Sequence, residues 1–295
     1  MDDRPNPHAS VPSPQGGEVP PGDAAAALHP QPPKQTLETA ARPPTRRRRP
    51  GRPWGFWATA GWTILLLVVW YWLRYVLSAV VRVGLVFVDP AGPYVGSTLP
   101  EDVFGVLNVA ALTVMTVVLV GLIVLLASAR RMAVRDYLAL TRPAPKETFG
   151  WLMAILAMIV VMDVAYRLAG WNPVTDYDVA LYTSTPSVLL LFLMVIVAPV
   201  LEETWWRGFV YRGIAASKAG PVAAVILTAI PFTLMHTQYN WTHKAPIFAV
   251  GLVLATVRWR SGSTVLAMCC HAAINVFYFA STATEVHWLG RTVSP

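Results

Sequence analysis

Long runs of apolar residues are the feature that most constrains the fold of this chain. The first extends from about Trp54 to Leu73, and comparable runs recur as far as Ala280. About 20 apolar residues cross a bilayer as a helix. Only 13% of the chain is charged, roughly half the fraction of a soluble domain. The sequence therefore predicts a polytopic membrane protein and argues against a soluble enzyme or a nucleic-acid-binding domain.

The fold class predicted from these runs is an all-α membrane bundle of about seven to eight transmembrane helices. The fifth and sixth runs are short for a full bilayer crossing. The segment from Arg74 to Val88 is either an additional helix or an interfacial continuation of the first. The predicted spans are approximately 54–73, 104–126, 149–169, 187–211, 221–236, 246–257 and 263–280.

The charges of the connecting loops predict the orientation of the chain. Residues 89–102 and 171–186 contain acids and no lysine or arginine, whereas basic residues collect at 130–146 and from Arg207 onward. Basic loops remain on the cytoplasmic side of a membrane. We therefore expect a multi-pass protein of the plasma membrane, in a bacterium, with a cytoplasmic N-terminus.

Four segments are predicted from composition. Residues 1–53 form a Pro/Arg-rich cytoplasmic tail that lacks the apolar residues for a core and is expected to be disordered. The run Arg46–Arg52 is either a topology determinant or a contact for anionic lipid. Residues 54–185 are N-terminal transmembrane helices, 186–283 are a C-terminal transmembrane core, and 284–295 are a short C-terminal tail.

Two adjacent glutamates and an arginine end the fourth predicted span. Such charges are costly within a membrane and are generally kept for chemistry or for pairing. Glu203 and Arg207 are four residues apart and share a helix face, so they can pair. Glu202 lies about 100° away around the helix axis. We interpret Glu203 and Arg207 as a structural pair and Glu202 as the chemical group.

Two later helices supply polar groups that complement Glu202. Phe232 and His236 share one helix face, and His271 and Asn275 share another. A single histidine on an apolar helix is usually a satisfied core residue. Three ordered motifs in one membrane chain instead favour a common site.

These motifs, Glu-Glu-x-x-x-Arg, Phe-x-x-x-His and His-x-x-x-Asn, resemble the CPBP family of intramembrane proteases, also called the CAAX-protease or Abi family. The resemblance covers roughly Leu189 to Phe279. It implies a membrane endopeptidase that acts on a membrane protein or peptide. By this resemblance the catalytic residues are Glu202, His236, His271 and Asn275, and the orienting residues are Glu203, Arg207 and Phe232.

The residue types fit hydrolysis by an activated water. A partly buried glutamate can act as general base and then as general acid, so Glu202 fits this role. His236 can share the water or donate a proton to the leaving amine. His271 and Asn275 carry donors for the oxyanion of the tetrahedral intermediate. We expect these four residues to meet in one water-containing pocket that opens towards the cytoplasm.

A metal is an open alternative. Glu202, His236 and His271 are one carboxylate and two histidines, a ligand set that binds catalytic Zn²⁺. The chain has no His-Glu-x-x-His motif, and the three ligands come from separate helices. The family has been described both as metalloproteases and as glutamate-type proteases, so both types remain open.

Other functions compete with proteolysis. One is a non-enzymatic membrane protein, such as a bacteriocin self-immunity factor or a scaffold for a membrane partner. Another is a transporter, although transporters often contain paired repeats and none is evident here. Asp163 and Arg167, four residues apart in the third span, are predicted to form a structural ion pair.

Overall fold

The computed structural model describes residues 51–88 and 101–292, and every regular element in these ranges is a helix. This confirms the predicted all-α bundle. The predicted tail up to residue 50 lies outside the described residues, as does most of the first predicted outer loop. The helices are α1 Phe56–Val88, α2 Glu101–Ser128, α3 Val134–Tyr137, α4 Pro145–Leu168, α5 Asp176–Ser184, α6 Ser187–Ala215, α7 Gly220–Leu234, α8 Trp241–Ser261 and α9 Thr264–Trp288.

Five of these helices, α1, α2, α4, α6 and α9, are long and apolar enough to cross a membrane. The protein is accordingly a multi-pass membrane protein. Helix α7 has 15 residues, a length of about 22 Å, and is shorter than the bilayer core of about 30 Å. Helix α8 begins at Trp241 and has 21 residues, so it is longer than the predicted run at 246–257.

Helix α1 settles the question of an eighth segment. It runs without interruption from Phe56 to Val88. The residues from Arg74 onward thus continue the first helix instead of forming a separate one. Helix α9 also extends beyond its predicted end and reaches Trp288.

Helix α6 carries two stretches of wider π-type winding, Leu193–Val197 and Thr204–Val210. Every side chain of the second stretch is buried. Trp205 and Trp206 are each 1% exposed, and their rings stack with centroids 5.0 Å apart. These tryptophans therefore pack in the protein core, and α6 is the element around which the other helices are arranged.

Helix α1 approaches α6 closely at Gly213. A Cβ atom built at Gly213 would lie 2.7 Å and 2.8 Å from side-chain carbons of Thr59. We expect Gly213→Ala to lower stability by about 1–3 kcal/mol, as overpacking does. Gly121→Ala on α2 is the matched control because no atom lies within 4 Å of the Cβ position at Gly121. Thermal unfolding of the two purified variants tests this, and equal loss of stability would contradict the close approach.

The predicted pair of Asp163 and Arg167 is confirmed, with Nε of Arg167 2.9 Å from the Asp163 carboxylate. The same guanidinium contacts Glu285 on α9 at 3.2 Å. Arg291 contacts the other oxygen of Glu285 at 2.7 Å, and Asn172 donates to that oxygen at 2.9 Å. This network joins the end of α4 to the end of α9.

The orientation in the membrane can be tested with reporter fusions. Fusions after Leu99, Pro145 and Thr185 should report outside, inside and outside, because the acidic and basic loops alternate along the chain. Alkaline phosphatase and green fluorescent protein fusions give opposite signals at each site and serve as mutual controls. Any other order would show that the predicted orientation is wrong.

Candidate functional site

Glu203 is the hydrogen-bond acceptor at the centre of the site. Its Oε1 accepts from Nη1 of Arg207 at 3.0 Å and from Nδ1 of His271 at 2.8 Å. The side chains of Glu203 and Arg207 are both 0% exposed. Nη2 of Arg207 donates to the carbonyl of Gly251 on α8 at 3.0 Å. The predicted pairing of Glu203 with Arg207 is confirmed, and the contact with His271 is an addition to it.

Phe232 packs between the charged pair and the two histidines. The guanidinium carbon of Arg207 lies 4.4 Å from its ring centroid. The ring centroids of His236 and His271 lie 5.0 Å and 6.0 Å away. Phe232 is 2% exposed. The interpretation of Phe232 as a packing residue beside His236 agrees with these contacts.

The hydrogen bonds of the two histidines define which ring nitrogen is available. Nδ1 of His236 lies 2.8 Å from the carbonyl oxygen of Phe232. A carbonyl oxygen can only accept, so this Nδ1 carries the hydrogen and Nε2 of the neutral ring has a lone pair. Nδ1 of His271 donates to the Glu203 carboxylate, which leaves its Nε2 in the same condition. Each ring therefore has its Nδ1 engaged and its Nε2 available for chemistry.

Two adjoining cavities contain the predicted site residues. The histidine cavity, about 170 Å³, is lined by His236, His271 and Asn275 among others. The glutamate cavity, about 210 Å³, is lined by Glu202 and His236 among others. Both are lined by Leu181, Phe232 and His236. The four residues expected in one pocket are thus divided between two cavities that meet at His236.

The division of the predicted site between two cavities follows from the different directions in which Glu202 and Glu203 leave α6. Glu203 faces α8 and α9, where it reaches His271. Glu202 points into the cavity that is also lined by α1 and α2, as the separation of about 100° between adjacent helical residues requires. Its Oε2 is buried and has no hydrogen-bond partner among the residues described. This oxygen is therefore available to accept a proton.

Asn275 is held by α6. Its Nδ2 donates to the carbonyl of Met194 at 2.7 Å. In the π-wound stretch the amide of Ala198 donates to Leu193, five residues back. The next residue in that register is Pro199, which has no N–H to offer Met194. Asn275 thus satisfies a carbonyl that Pro199 leaves without that partner, and one N–H of its amide is committed.

The predicted metal ligands are not assembled as a single group. Across residues 51–88 and 101–292, no three His, Cys, Asp or Glu side chains lie together in a way that could hold a metal ion. His236 shares one cavity with Glu202 and the other with His271. The zinc set of Glu202, His236 and His271 stays a prediction.

The histidine cavity extends to residues of the predicted outer loop 171–186 and to residues between α7 and α8. Its lining includes Val174, Asp178, Tyr239 and His243. The hydroxyl of Tyr239 donates to Asp178 at 2.6 Å. Burial raises the pKa of Tyr239 well above its usual value, and the negative charge of Asp178 raises it further. In the predicted orientation this end of the histidine cavity faces outside, and the cytoplasmic opening of the site stays a prediction.

Residues 184–277 match the family described as type II CAAX prenyl endopeptidase Rce1-like. This segment contains all seven predicted site residues and confirms the resemblance to CAAX-type membrane proteases. The chain is also 29% identical over 126 residues to the "Uncharacterized 24.3 kDa protein" of Escherichia coli. That alignment covers 41% of this chain and 58% of the relative. No solved structure matches the chain.

Proposed function

We propose that the protein is an intramembrane endopeptidase that hydrolyses a peptide bond of a membrane-associated protein or peptide. The observation that carries this proposal is the glutamate cavity, in which Glu202 and His236 lie together. Glu202 brings an oxygen without a hydrogen-bond partner among the described residues. His236 brings an Nε2 lone pair, because its Nδ1 is bonded to a backbone carbonyl. Two acceptors beside one cavity are what activation of a water requires.

The reaction begins with a water between these acceptors. As the water oxygen bonds to the peptide carbonyl carbon, one of its protons passes to Glu202, and the carbonyl π electrons move onto the carbonyl oxygen. Glu202, now protonated, then returns this proton to the amide nitrogen, either directly or through Nε2 of His236. The C–N bond breaks as the oxyanion reforms a carbonyl, and the products are a carboxylic acid and an amine. Proton transfer of this kind typically contributes about 10²- to 10⁴-fold to the rate.

His271 and Asn275, which line the adjoining histidine cavity, are proposed to stabilise the oxyanion, with the peptide carbonyl directed past His236 into that cavity. Because Nδ1–H of His271 is bonded to Glu203, its Nε2 can donate to an oxyanion only when the ring is protonated. Asn275 retains a second N–H beyond the one bonded to Met194. A donor aimed at developing negative charge is worth about 10²- to 10³-fold in rate. Glu203 fixes the orientation of His271 and holds Arg207 in place.

A Zn²⁺ held by Glu202, His236 and His271 is the metal alternative, and it would polarise the carbonyl and activate the water. The steps above depend on side chains alone. Metal analysis of the purified protein separates the two types. About one zinc per chain that is lost in His271→Ala would support the metalloprotease, whereas full activity of metal-depleted protein would support the glutamate type.

The location proposed for this reaction is the plasma membrane, with the N-terminus in the cytoplasm. Support comes from the five long apolar helices and from the alternation of acidic and basic loops. The bilayer supplies the surroundings of the substrate, and anionic lipid at the run Arg46–Arg52 is an additional proposed contact.

Hydrolysis can be tested directly with purified protein in lipid nanodiscs and a library of N-palmitoylated peptides. In water enriched with ¹⁸O, each new C-terminal carboxylate should contain one ¹⁸O atom, because the water oxygen becomes part of the product. Mass spectrometry identifies both the cleavage site and the label. Absence of labelled products across the library would instead favour the non-enzymatic alternative, a self-immunity factor or scaffold.

A further inference from the structure

Tyr239 lies in the short connection between α7 and α8, three residues after His236. His236 is itself beyond Leu234, the last residue of α7. Its carbonyl accepts from the Tyr239 amide at 3.2 Å, which closes a turn. Connections are more mobile than helices, so a catalytic group on a connection needs side-chain contacts that hold it in place. The surroundings of Tyr239 supply such contacts.

The ring of His236 contacts two aromatic rings. The Phe232 ring is inclined to it by 59°, with centroids 5.0 Å apart. The Tyr239 ring is nearly parallel to it at 19°, with centroids 6.2 Å apart. Both separations are within the usual range for aromatic pairs, about 4.5–7 Å. Phe232 belongs to one of the three motifs and Tyr239 to none, so the second ring contact of His236 is one that the motifs do not include.

The hydroxyl of Tyr239 is anchored to α5. It donates to Oδ1 of Asp178 at 2.6 Å, and a bond to a carboxylate is stronger than one between neutral groups. Oδ2 of Asp178 accepts from the amide and the hydroxyl of Thr175 at 2.8 Å and 2.7 Å, in the capping box of α5. Both carboxylate oxygens are thus bonded, which fixes the orientation of Asp178. This residue precedes the segment 184–277 that matches the protease family.

His243 of α8 supports the ring of Tyr239. The two rings are inclined by 24°, with centroids 6.3 Å apart. Nε2 of His243 donates to the carbonyl of Asn172 at 3.0 Å, because a carbonyl oxygen can only accept. Asn172 lies in the connection between α4 and α5. Tyr239 is therefore held at its ring by α8 and at its hydroxyl by α5.

We propose that Tyr239 and Asp178 are positioning residues for His236, an inference that rests on the proposed function. Asp178 fixes the hydroxyl of Tyr239, and the ring of Tyr239 sets the plane of the His236 imidazole. Nε2 of His236 thereby stays directed at the place where the two cavities meet. Proton transfer requires this alignment, because a displacement of about 1 Å can cost about 10²-fold in rate.

A purely structural role is the alternative, in which the bond between Tyr239 and Asp178 only holds α5 against the connection between α7 and α8. The two roles differ in what a variant changes. Positioning predicts a lower kcat at nearly unchanged KM in protein that remains folded. A structural role predicts lower stability and less folded protein, with the kcat of the folded fraction unchanged.

The activity test uses full-length protein in lipid nanodiscs and a peptide that the wild type cleaves. Tyr239→Phe keeps the ring and removes the hydroxyl, and we expect kcat to fall about 10- to 100-fold with little change in KM. Tyr137→Phe is the matched control. The Tyr137 hydroxyl also joins two elements, since it accepts from the Trp54 amide at 3.4 Å, but Tyr137 lines neither cavity. Wild-type kcat in Tyr239→Phe protein would overturn the inference.

Asp178→Ala removes the other partner of the same hydrogen bond. It should lower kcat by a factor similar to that of Tyr239→Phe, and the double variant should be no worse than either, because residues in contact are not additive. Thr175→Ala is the control for the helix cap, since the amide of residue 175 can still donate to Asp178. It should lower stability and leave kcat unchanged. A loss of kcat in Thr175→Ala equal to that in Asp178→Ala would assign the effect to the cap and overturn the inference.

A cycle with His236 tests whether Tyr239 acts through that residue. In a His236→Gln background, Tyr239→Phe should lower the residual kcat no further, because residues that act as a unit lose their effect together. A further loss as large as the one in the wild-type background would show that Tyr239 acts independently of His236, which would overturn the positioning role.

A measurement without peptide separates failure of the inference from failure of the protease. The chain contains six histidines, and NMR spectra of protein with ¹³C-labelled histidine rings identify the signal of His236 by its loss in His236→Gln. Tyr239→Phe and Asp178→Ala should both shift or broaden this signal, and Tyr137→Phe should not. These changes would support the positioning role even if no peptide is cleaved. An unaltered signal in both variants would overturn it, whether or not the wild type is a protease.

Discussion

Replacing Glu202 with glutamine should lower the rate of peptide hydrolysis by about 10²- to 10⁴-fold, the contribution of a positioned general base. The amide has nearly the same shape as the carboxylate but cannot take a proton from water. Glu202 forms no ion pair in the described part of the chain, and its Oε2 has no hydrogen-bond partner there. The substitution therefore leaves no cation unpaired, and we expect protein level and thermal unfolding to stay close to those of the wild type.

The measurement is kcat/KM on a peptide that the wild type cleaves, together with the unfolding temperature of each purified protein. Glu203→Gln is the comparison because it makes the same chemical change one residue along α6. Glu202→Gln protein that unfolds normally and retains the wild-type rate would show that Glu202 is not the base. An unfolded Glu202→Gln protein beside a stable Glu203→Gln protein would exchange the roles of the two glutamates.

The parts of the site that the sequence predicted are those that depend on one helix at a time. The spacing of Glu203 and Arg207 predicts their pairing, because residues four apart meet on any α-helix. The same periodicity correctly separates Glu202 from Glu203. Apolar runs predicted the all-α membrane bundle for a similar reason, since membrane crossing requires a helix of known length.

Helical periodicity does not predict which helices contact one another. The bond from His271 to Glu203 depends on how α9 packs against α6, and periodicity identifies a face but not its neighbour. The division of the site into two cavities also depends on contacts between helices, because α1 and α2 complete one of the cavities. These N-terminal helices share no motif with the later ones, so no pattern in the sequence indicates their contribution.

Two further local features have recognisable signals in the sequence. Thr175 and Asp178 form a capping box at the start of α5, and the pattern Thr-x-x-Asp is a signal of a helix N-terminus. Pro199 lies within α6 and removes an amide hydrogen that a helix would use. That loss indicates a carbonyl in need of another donor, which Asn275 provides to Met194.

Replacing Glu203 with glutamine should destabilise the protein by about 3–5 kcal/mol, as removal of one partner of a buried ion pair does. Glu203 and Arg207 are both 0% exposed, so water cannot solvate the guanidinium once the carboxylate is lost. The carbonyl of Gly251 and the ring of Phe232 still contact Arg207, but neither carries a negative charge. Reversible unfolding in mixed micelles measures the loss.

A second ion pair of the same spacing isolates the effect of burial. Asp163 and Arg167 are also four residues apart, but the Arg167 side chain is 42% exposed and keeps its contact with Glu285. Asp163→Asn should therefore destabilise the protein by no more than about 1 kcal/mol, the usual limit for exposed pairs. Similar losses from Asp163→Asn and Glu203→Gln would contradict the role of burial.

The double variant Glu203→Leu with Arg207→Met separates the charge from the packing. Because it removes both charges and retains side chains of similar length, it should be more stable than Glu203→Gln alone, as replacement of a buried pair by apolar residues often is. Its activity should nevertheless remain low, since Nδ1 of His271 loses the carboxylate that orients it. Recovery of stability without recovery of activity would place Glu203 in both the fold and the site, whereas recovery of both would show that the orientation of His271 does not depend on Glu203.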